Sequence, residues 1–417
     1  MNIRLLKNIL PIVFAVVCCA VQGQQSARVL PMTHLPIQTI DVSIDRSVVN
    51  VIEYASMATR LHTAAVRLST RGENLLLAYM AHNTKRIMLR KSSDGGQSWS
   101  SPLSDNLLIG NPIKHISMFT LTGRTLLPKE YRRERRLSRL ANRNNLILFF
   151  EGYPIKAAIS PDNGEQWLKT FNVIESSDIT VTSMIKLNDG VFMALLNSGK
   201  HPHNGRQVIY KSYSQDGGLT WTYPEIAIKH NIYSIENACI ARLTHRNKKY
   251  LVVLANEQKH RTGVISVSTD EGKTWSYPIE LPSFIQGDKY SMITLSNKMY
   301  IVYRDTYGNG KINNPTYGDL MLWSGTMADL ENGGKSSFRV RLADLPEMEV
   351  QLSNEQRNRT SVETPNINIL AKNKLSVIAY GMWNEKLPPS IRSYTLHLNR
   401  LDRLNRHYKL NKLLKSK

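Results

Sequence analysis

Ser214-Gln215-Asp216-Gly217-Gly218-Leu219-Thr220-Trp221 decides the fold, because the chain repeats it. The phrase recurs as Ser92-Ser93-Asp94-Gly95-Gly96-Gln97-Ser98-Trp99, as Ser160-Pro161-Asp162-Asn163-Gly164-Glu165-Gln166-Trp167, and as Ser268-Thr269-Asp270-Glu271-Gly272-Lys273-Thr274-Trp275. Each residue type suits a tight turn between strands. The Asp accepts hydrogen bonds from N–H groups just downstream, the Gly supplies a positive φ, and the hydroxyls occupy remaining backbone groups. The Trp is a large amphipathic wedge for a neighbouring unit. The Asp residues stand at 94, 162, 216 and 270, intervals of 68, 54 and 54 residues. Repetition at such a period implies stacked units, none able to bury its apolar face alone.

Strand-like runs precede every copy, at residues 74–81, 145–150, 191–196 and 250–255. Two further units lack the phrase. One covers roughly residues 290–342, with strands near 300–303 and 320–323. The other has strands near 366–370, 375–380 and 393–398. Each unit reads as a four-stranded antiparallel blade, and six of them predict an all-β, six-bladed β-propeller. Residues 37–49 are expected to complete the last blade and so remove open sheet edges.

This pattern resembles the bacterial sialidase superfamily of six-bladed propellers, whose repeats are called Asp boxes or BNR repeats. The resemblance covers most of the chain after its N-terminal segment. It implies that Asp94, Trp99, Asp162, Trp167, Asp216, Trp221, Asp270 and Trp275 are structural, because the boxes lie opposite the active face in that family. Function must then be argued from the other face.

Length and composition fit one propeller of 417 residues, and long amphipathic helical runs are missing. Arg4 and Lys7 precede an apolar run from Ile9 to Ala20, and Val21-Gln22-Gly23 suits cleavage before Gln24. Residues 1–23 therefore read as a secretory signal peptide, with an apolar run too short to favour a spanning helix. The propeller is expected over 24–400 and a basic tail over 401–417. Export would place the protein in the periplasm, on the outer surface or in the medium, with no transmembrane segment in the mature chain. A lipoprotein form through Cys18 or Cys19 stays open. The mature chain would keep only Cys239, which leaves no intramolecular disulfide.

The formal charge of +21 favours anionic partners. One basic cluster, Arg132, Arg133, Arg135, Arg136, Arg139 and Arg143, falls in the insertion that lengthens the second unit. Another runs from Arg400 to Lys417. Both read first as solvated surface, with contact to acidic polysaccharide or lipopolysaccharide as the functional alternative. A nucleic-acid partner is not expected, since no nucleic-acid module is recognisable.

In a propeller, the starts of first strands and the loops between second and third strands share one face. That face is expected to carry His62 and His82 from the first blade, and His115 and Glu151 from the second. Asp178 with the loop 197–206 comes from the third, and Glu236 and Asn256 to Arg261 from the fourth. Tyr290, Arg304 and Asp305 come from the fifth, Glu363 and Trp383 from the sixth. Arg304 and Arg261 suit bidentate contact with a carboxylate. Glu236, His62 and Tyr290 are the catalytic candidates. Asn256, His82, Asp305 and Trp383 join the substrate-binding set. His201 and His203 form a pair without a third ligand, so a metal is not expected, nor is an organic cofactor.

Sialidases hold the substrate carboxylate with three arginines and use an Asp acid and a Tyr nucleophile assisted by a Glu. Glu236 falls at the assisting Glu and Arg304 near the third arginine. Elsewhere the chain departs. His62-Thr63-Ala64 replace the first arginine motif, Asn256 stands at the second with Arg261 nearby, and residues 81–85 carry no Asp. Glu363-Thr364-Pro365 occupy the nucleophile position. The resemblance implies a secreted exo-glycosidase acting on a terminal acidic sugar. A non-catalytic glycan-binding propeller, a polysaccharide lyase and an enzyme acting on rhamnosyl-glucuronate remain as alternatives. The sequence leaves the oligomeric state open.

Overall fold

The computed structural model describes residues 27–415 apart from 31–34, 36, 57–58, 69–71, 82–83, 104–107, 122–144, 152–153, 169, 176–178, 200–204, 309–313, 346–361 and 384–386. The signal-like segment 1–23, the Arg132–Arg143 cluster, Asp178, His201, His203 and His82 lie outside the described residues.

Six antiparallel sheets form the blades of a propeller. Blade one holds Leu61–Arg67, Leu75–Ala81 and Met88–Ser92, with one further bridge from Leu89 to Leu103. Blade two holds Ile116–Leu121, Asn145–Phe150, Ile155–Ser160 and Phe171–Ile174. Blade three holds Thr180–Lys186, Phe192–Asn197, Ile209–Ser214 and Glu225–Ile228. Blade four holds Ile235–His245, Lys248–Glu257, Thr262–Ser268 and Ile279–Glu280. Blade five holds Gly287–Leu295, Lys298–Asp305, Leu320–Gly325 and Phe338–Ala343. Blade six holds Asn366–Leu370, Lys374–Gly381, Ser390–His397 and Val49–Tyr54.

The second strands read as nearly unbroken apolar runs, such as Leu75-Leu76-Leu77-Ala78, because both of their faces are covered by neighbouring blades. Six apolar clusters result, one for each adjacent pair of blades. Leu76 and Met80 meet Met118 and Leu148 between blades one and two. Ile378 and Ile391 meet Leu75 and Leu77 between blades six and one. The other four interfaces repeat the arrangement around the ring.

The repeated turns connect third to fourth strands and fasten each blade to its predecessor. The Ser214 hydroxyl donates to Asp216 Oδ1 at 2.9 Å and accepts the Gly218 N–H at 2.8 Å. Asp216 also accepts the Thr220 N–H and hydroxyl, at 2.9 and 2.6 Å. The Trp221 Nε1–H donates to Gly218 O at 3.0 Å, while its ring packs in the interface between blades two and three. Gly164 shows why glycine is needed twice over. Its φ is +84°, and a Cβ there would lie 2.6 Å from Leu76 of blade one.

Blades five and six lack the phrase and solve the same junction differently. In blade five the helix Met327–Glu331 fills it, capped at Thr326 by a reciprocal pair of bonds with Asp329. Blade six runs from Ser390–His397 straight into the helix Leu398–Lys415, so the basic tail is helical through Lys415.

The ring closes one segment later than the sequence suggests. Val49–Tyr54, not 37–49, pairs with Ser390–His397. Gln38–Asp41 instead adds to blade five, parallel to Phe338–Ala343, and Arg28–Leu30 pairs with it in turn. Ile40 is drawn there by the core around Val340, and Asp41 by Arg28 and Arg341.

The Thr274 hydroxyl and N–H hold the Asp270 carboxyl at about 2. This folded value lies below the ordinary ~3.9 of an unfolded Asp. The associated stability is complete above that ordinary value and is lost as pH falls toward 2. Urea unfolding at a series of pH values should therefore show Asp270→Asn with a shallower acid loss than wild type. An identical pH dependence in both would disprove the role.

Candidate functional site

First-strand starts and second-strand ends gather charged groups at one end of the ring. Arg60 and His62 come from blade one, His115 and Glu151 from blade two, Lys289 from blade five and Glu363 from blade six. Arg60 Nε pairs directly with Glu363 Oε1. His62 Nδ1 lies 3.8 Å from the same oxygen. The His62 ring meets His115 edge to face, with centroids 5.5 Å apart. Side chains distant in sequence thus form one contact chain, Arg60–Glu363–His62–His115.

Electrostatics tie Lys289 into the group. Burial would push Glu363 up, yet the charges of Arg60, His62 and Lys289 hold it at about 2. His115 is lowered, by burial first. Lys289 and Arg60 add to the drop, and Glu151 and Glu363 partly oppose it. Glu363 and His62 are buried, whereas Arg60, His115, Glu151 and Lys289 keep part of their surface open. The group is a polar cluster, the basin, with its carboxylate Glu363 buried and its cations and the His115 imidazole partly open.

A bulge positions Lys289. Between Asp288 and Ser291 the register of blade five shifts, and Lys289 takes φ +58°. Its N–H is received by Asn256 Oδ1 at 3.1 Å. The same device recurs one blade earlier, where Asn237 at φ +55° donates its N–H to Asn197 Oδ1 at 2.7 Å. Each Asn belongs to the second strand of the preceding blade. Such bulges re-aim side chains beside functional sites. Asn256 is buried and supports the Lys289 backbone.

The other sequence candidates divide. Arg304 is buried and engages Asp288 through Nε at 2.7 Å and through NH2, and Arg261 NH2 approaches Asp288 at 3.4 Å. Burial pushes Asp288 up, but the Arg304 charge and hydrogen bond, then Arg261 and Lys289, bring it below the usual carboxylate range. Arg304 thus spends its guanidinium on an internal carboxylate. Arg261 is 37% exposed and sits at the edge of this pair. Glu236 lies at the first-strand start of blade four, where it accepts from Gln258 Nε2 at 2.8 Å. No contact joins it to the His62–Glu363 group among the described residues.

Three expectations are corrected. Tyr290 is fully buried, donates to Ile285 O at 2.8 Å and stacks on Tyr303, so it is a core residue rather than a rim phenol. Asp305 is buried in an ion pair with Arg339 and accepts Thr316 Oγ1 at 2.7 Å. Trp383 is buried against Tyr394 and donates to Ser390 O at 2.8 Å, which leaves no face for a sugar ring. His82 lies outside the described residues. Burial raises Cys239 to about 12, which keeps the thiol protonated and unreactive. Among the described residues no cluster of three or more His, Cys, Asp or Glu could hold a metal ion.

Sequence reasoning placed His62, His115, Glu151 and Glu363 on this face but did not single out Lys289 or pair Arg60 with Glu363. The usable signal for Lys289 was the strand-opening Gly287-Asp288-Lys289.

This geometry defines a six-bladed propeller with a polar basin at one end of the ring. The chain belongs to the BNR repeat-like domain family, which matches residues 45–306. It is similar to the crystal structure of a protein of unknown function from Dyadobacter fermentans, at 14% identity and TM-score 0.59, covering 84% of this chain and 98% of that one. It is similar to the Hadza microbial sialidase Hz136, at 13% identity and TM-score 0.53, covering 83% and 66%. Phage phi92 endosialidase matches at 10% identity and TM-score 0.55, covering 88% and 71%. At these identities the likeness concerns the fold. No curated protein matches the chain.

Two substitutions should move His115 in opposite directions. Removing the anion in Glu363→Gln lowers its pKa further, and removing the cation in Arg60→Met raises it. Imidazole NMR titrations of both variants check this, and shifts of the same sign would contradict the proposed contacts.

Proposed function

We propose that this chain is a carbohydrate-active enzyme, a glycoside hydrolase that works at the central basin on a glycan ending in an acidic sugar. The observation that carries the reading is the Arg60–Glu363–His62–His115 chain, with Lys289 bearing on both Glu363 and His115. Likeness in fold to a sialidase and an endosialidase supports a carbohydrate substrate.

Glycoside hydrolysis needs a base for the attacking water and a proton for the leaving oxygen. His62 lies buried against His115 and positions that ring in this reading. His115, kept neutral by burial, takes the proton of the attacking water and delivers it to the leaving oxygen. Lys289, with Arg261 behind it, receives the substrate carboxylate. Glu236 remains a substrate contact on the same face. The N-terminal pattern of residues 1–23 supports export, so the reaction is placed outside the cytoplasm.

A second reading is elimination from a uronate. A neutral imidazole beside Lys289 and Arg60 suits removal of the C5 proton, with the cations steadying the developing negative charge. The product separates the two, because elimination leaves an unsaturated sugar that absorbs near-ultraviolet light and hydrolysis does not.

Purified protein should release the reporter from at least one fluorogenic sialoside or uronide. His115→Ala should lower kcat/KM by ~10²-fold or more, and Glu236→Gln by less than tenfold. Activity should require neutral His115, so it should rise with pH through a midpoint below the ordinary ~6.5 of histidine. Glycan binding without turnover of any substrate would replace the enzyme by a binding protein.

A further inference from the structure

The basic C-terminal segment has no part in the basin chemistry, yet it helps to build a concave feature at the opposite end of the ring. A cavity of about 530 Å³ opens between the first repeated turn, the closing strand of blade six and the helix Leu398–Lys415. That volume lies within the ~300–1,000 Å³ of small-ligand sites. Its floor is apolar, with Val48, Leu396 and Leu401. Its rim carries Arg46, His397 and Arg400, all exposed.

The charge balance at this rim is one-sided. Its carboxylate Asp45 is buried and shared with Arg400 at 3.3 Å. The neighbouring helix carboxylate, Asp402, is held by Lys298 at 2.8 Å. Arg403 and Arg406, three and six residues beyond Arg400, are exposed and, among the described residues, bond to helix carbonyls, Asn399 O and Asp402 O. They extend the cationic rim by ~9 Å at 1.5 Å per residue.

An apolar floor with a cationic rim fits one sugar ring and its carboxylate, and the arginine row fits the next units of the same chain. A lipid surface fits less well. The apolar stripe of the helix beside the cavity, Leu398 and Leu401 with Leu404, is already packed on blades five and six, so this stretch offers no apolar face to insert.

We infer that this cavity and the Arg400–Arg403–Arg406 row form a non-catalytic binding site for an acidic polysaccharide, separate from the basin. The inference does not depend on what the basin does.

The test uses the full chain, trigalacturonate as probe and phenylglyoxal as an arginine reagent, with modified sites read by mass spectrometry. Trigalacturonate should protect Arg46 and Arg400, and neutral maltotriose should not. Arg46→Glu, at an exposed position, should weaken trigalacturonate binding at least tenfold in calorimetry and abolish protection of Arg400. The basin variant Glu363→Gln should leave protection intact. Absence of protection, its loss in Glu363→Gln, or equal protection by a short DNA duplex would each overturn the inference.

Discussion

Contact between neighbouring blades is the constraint on which everything else rests. Every second strand is apolar on both faces, so no blade is stable until two others cover it. Only a closed ring satisfies all six interfaces together. The bond that completes it joins Val49–Tyr54 to Ser390–His397, strands from opposite ends of the chain. Individual hydrogen bonds there are worth only ~0.5–1.5 kcal/mol net. Their larger effect is to bring blades six and one into register, which buries Ile378, Ile391, Leu75 and Leu77 together.

The basin is a by-product of that closure. Arg60 and Glu363 stand 303 positions apart in the chain and meet because blade one follows blade six around the ring. Their pairing fixes a negative charge beside His62, and His62 in turn abuts His115. The rigid scaffold therefore sets the protonation of groups that sit on strand ends, with little help from the loops. Bulges complete the arrangement. The Asn197–Asn237 and Asn256–Lys289 contacts let a non-glycine residue hold a left-handed backbone at each bulge.

The fold was largely legible in the sequence because its determinants are local. The repeated phrase specifies a turn through bonds within eight residues, and its spacing counts the blades. The closing strand was misread because residues 37–49 and 49–54 are both strand-like. Only the pull of Ile40 and Asp41 toward blade five separates them. The site was legible by face but not by role. Tyr290 sits beside a bulge, and an undetected bulge changes which residue points inward. Asp305 and Arg304 look like rim groups until Arg339 and Asp288 arrive from other strands to neutralise them. Such partners are long-range facts that no motif carries.

The order of strands around blade six also bears on biogenesis. Val49–Tyr54 leaves the ribosome long before its partner Ser390–His397 is made. Throughout synthesis the growing chain must carry a bare strand and an unfinished stack of sheets, both open to mispairing. Assembly of the propeller therefore cannot be completed vectorially, and its success hinges on an encounter between two segments of the nascent polypeptide made far apart in time.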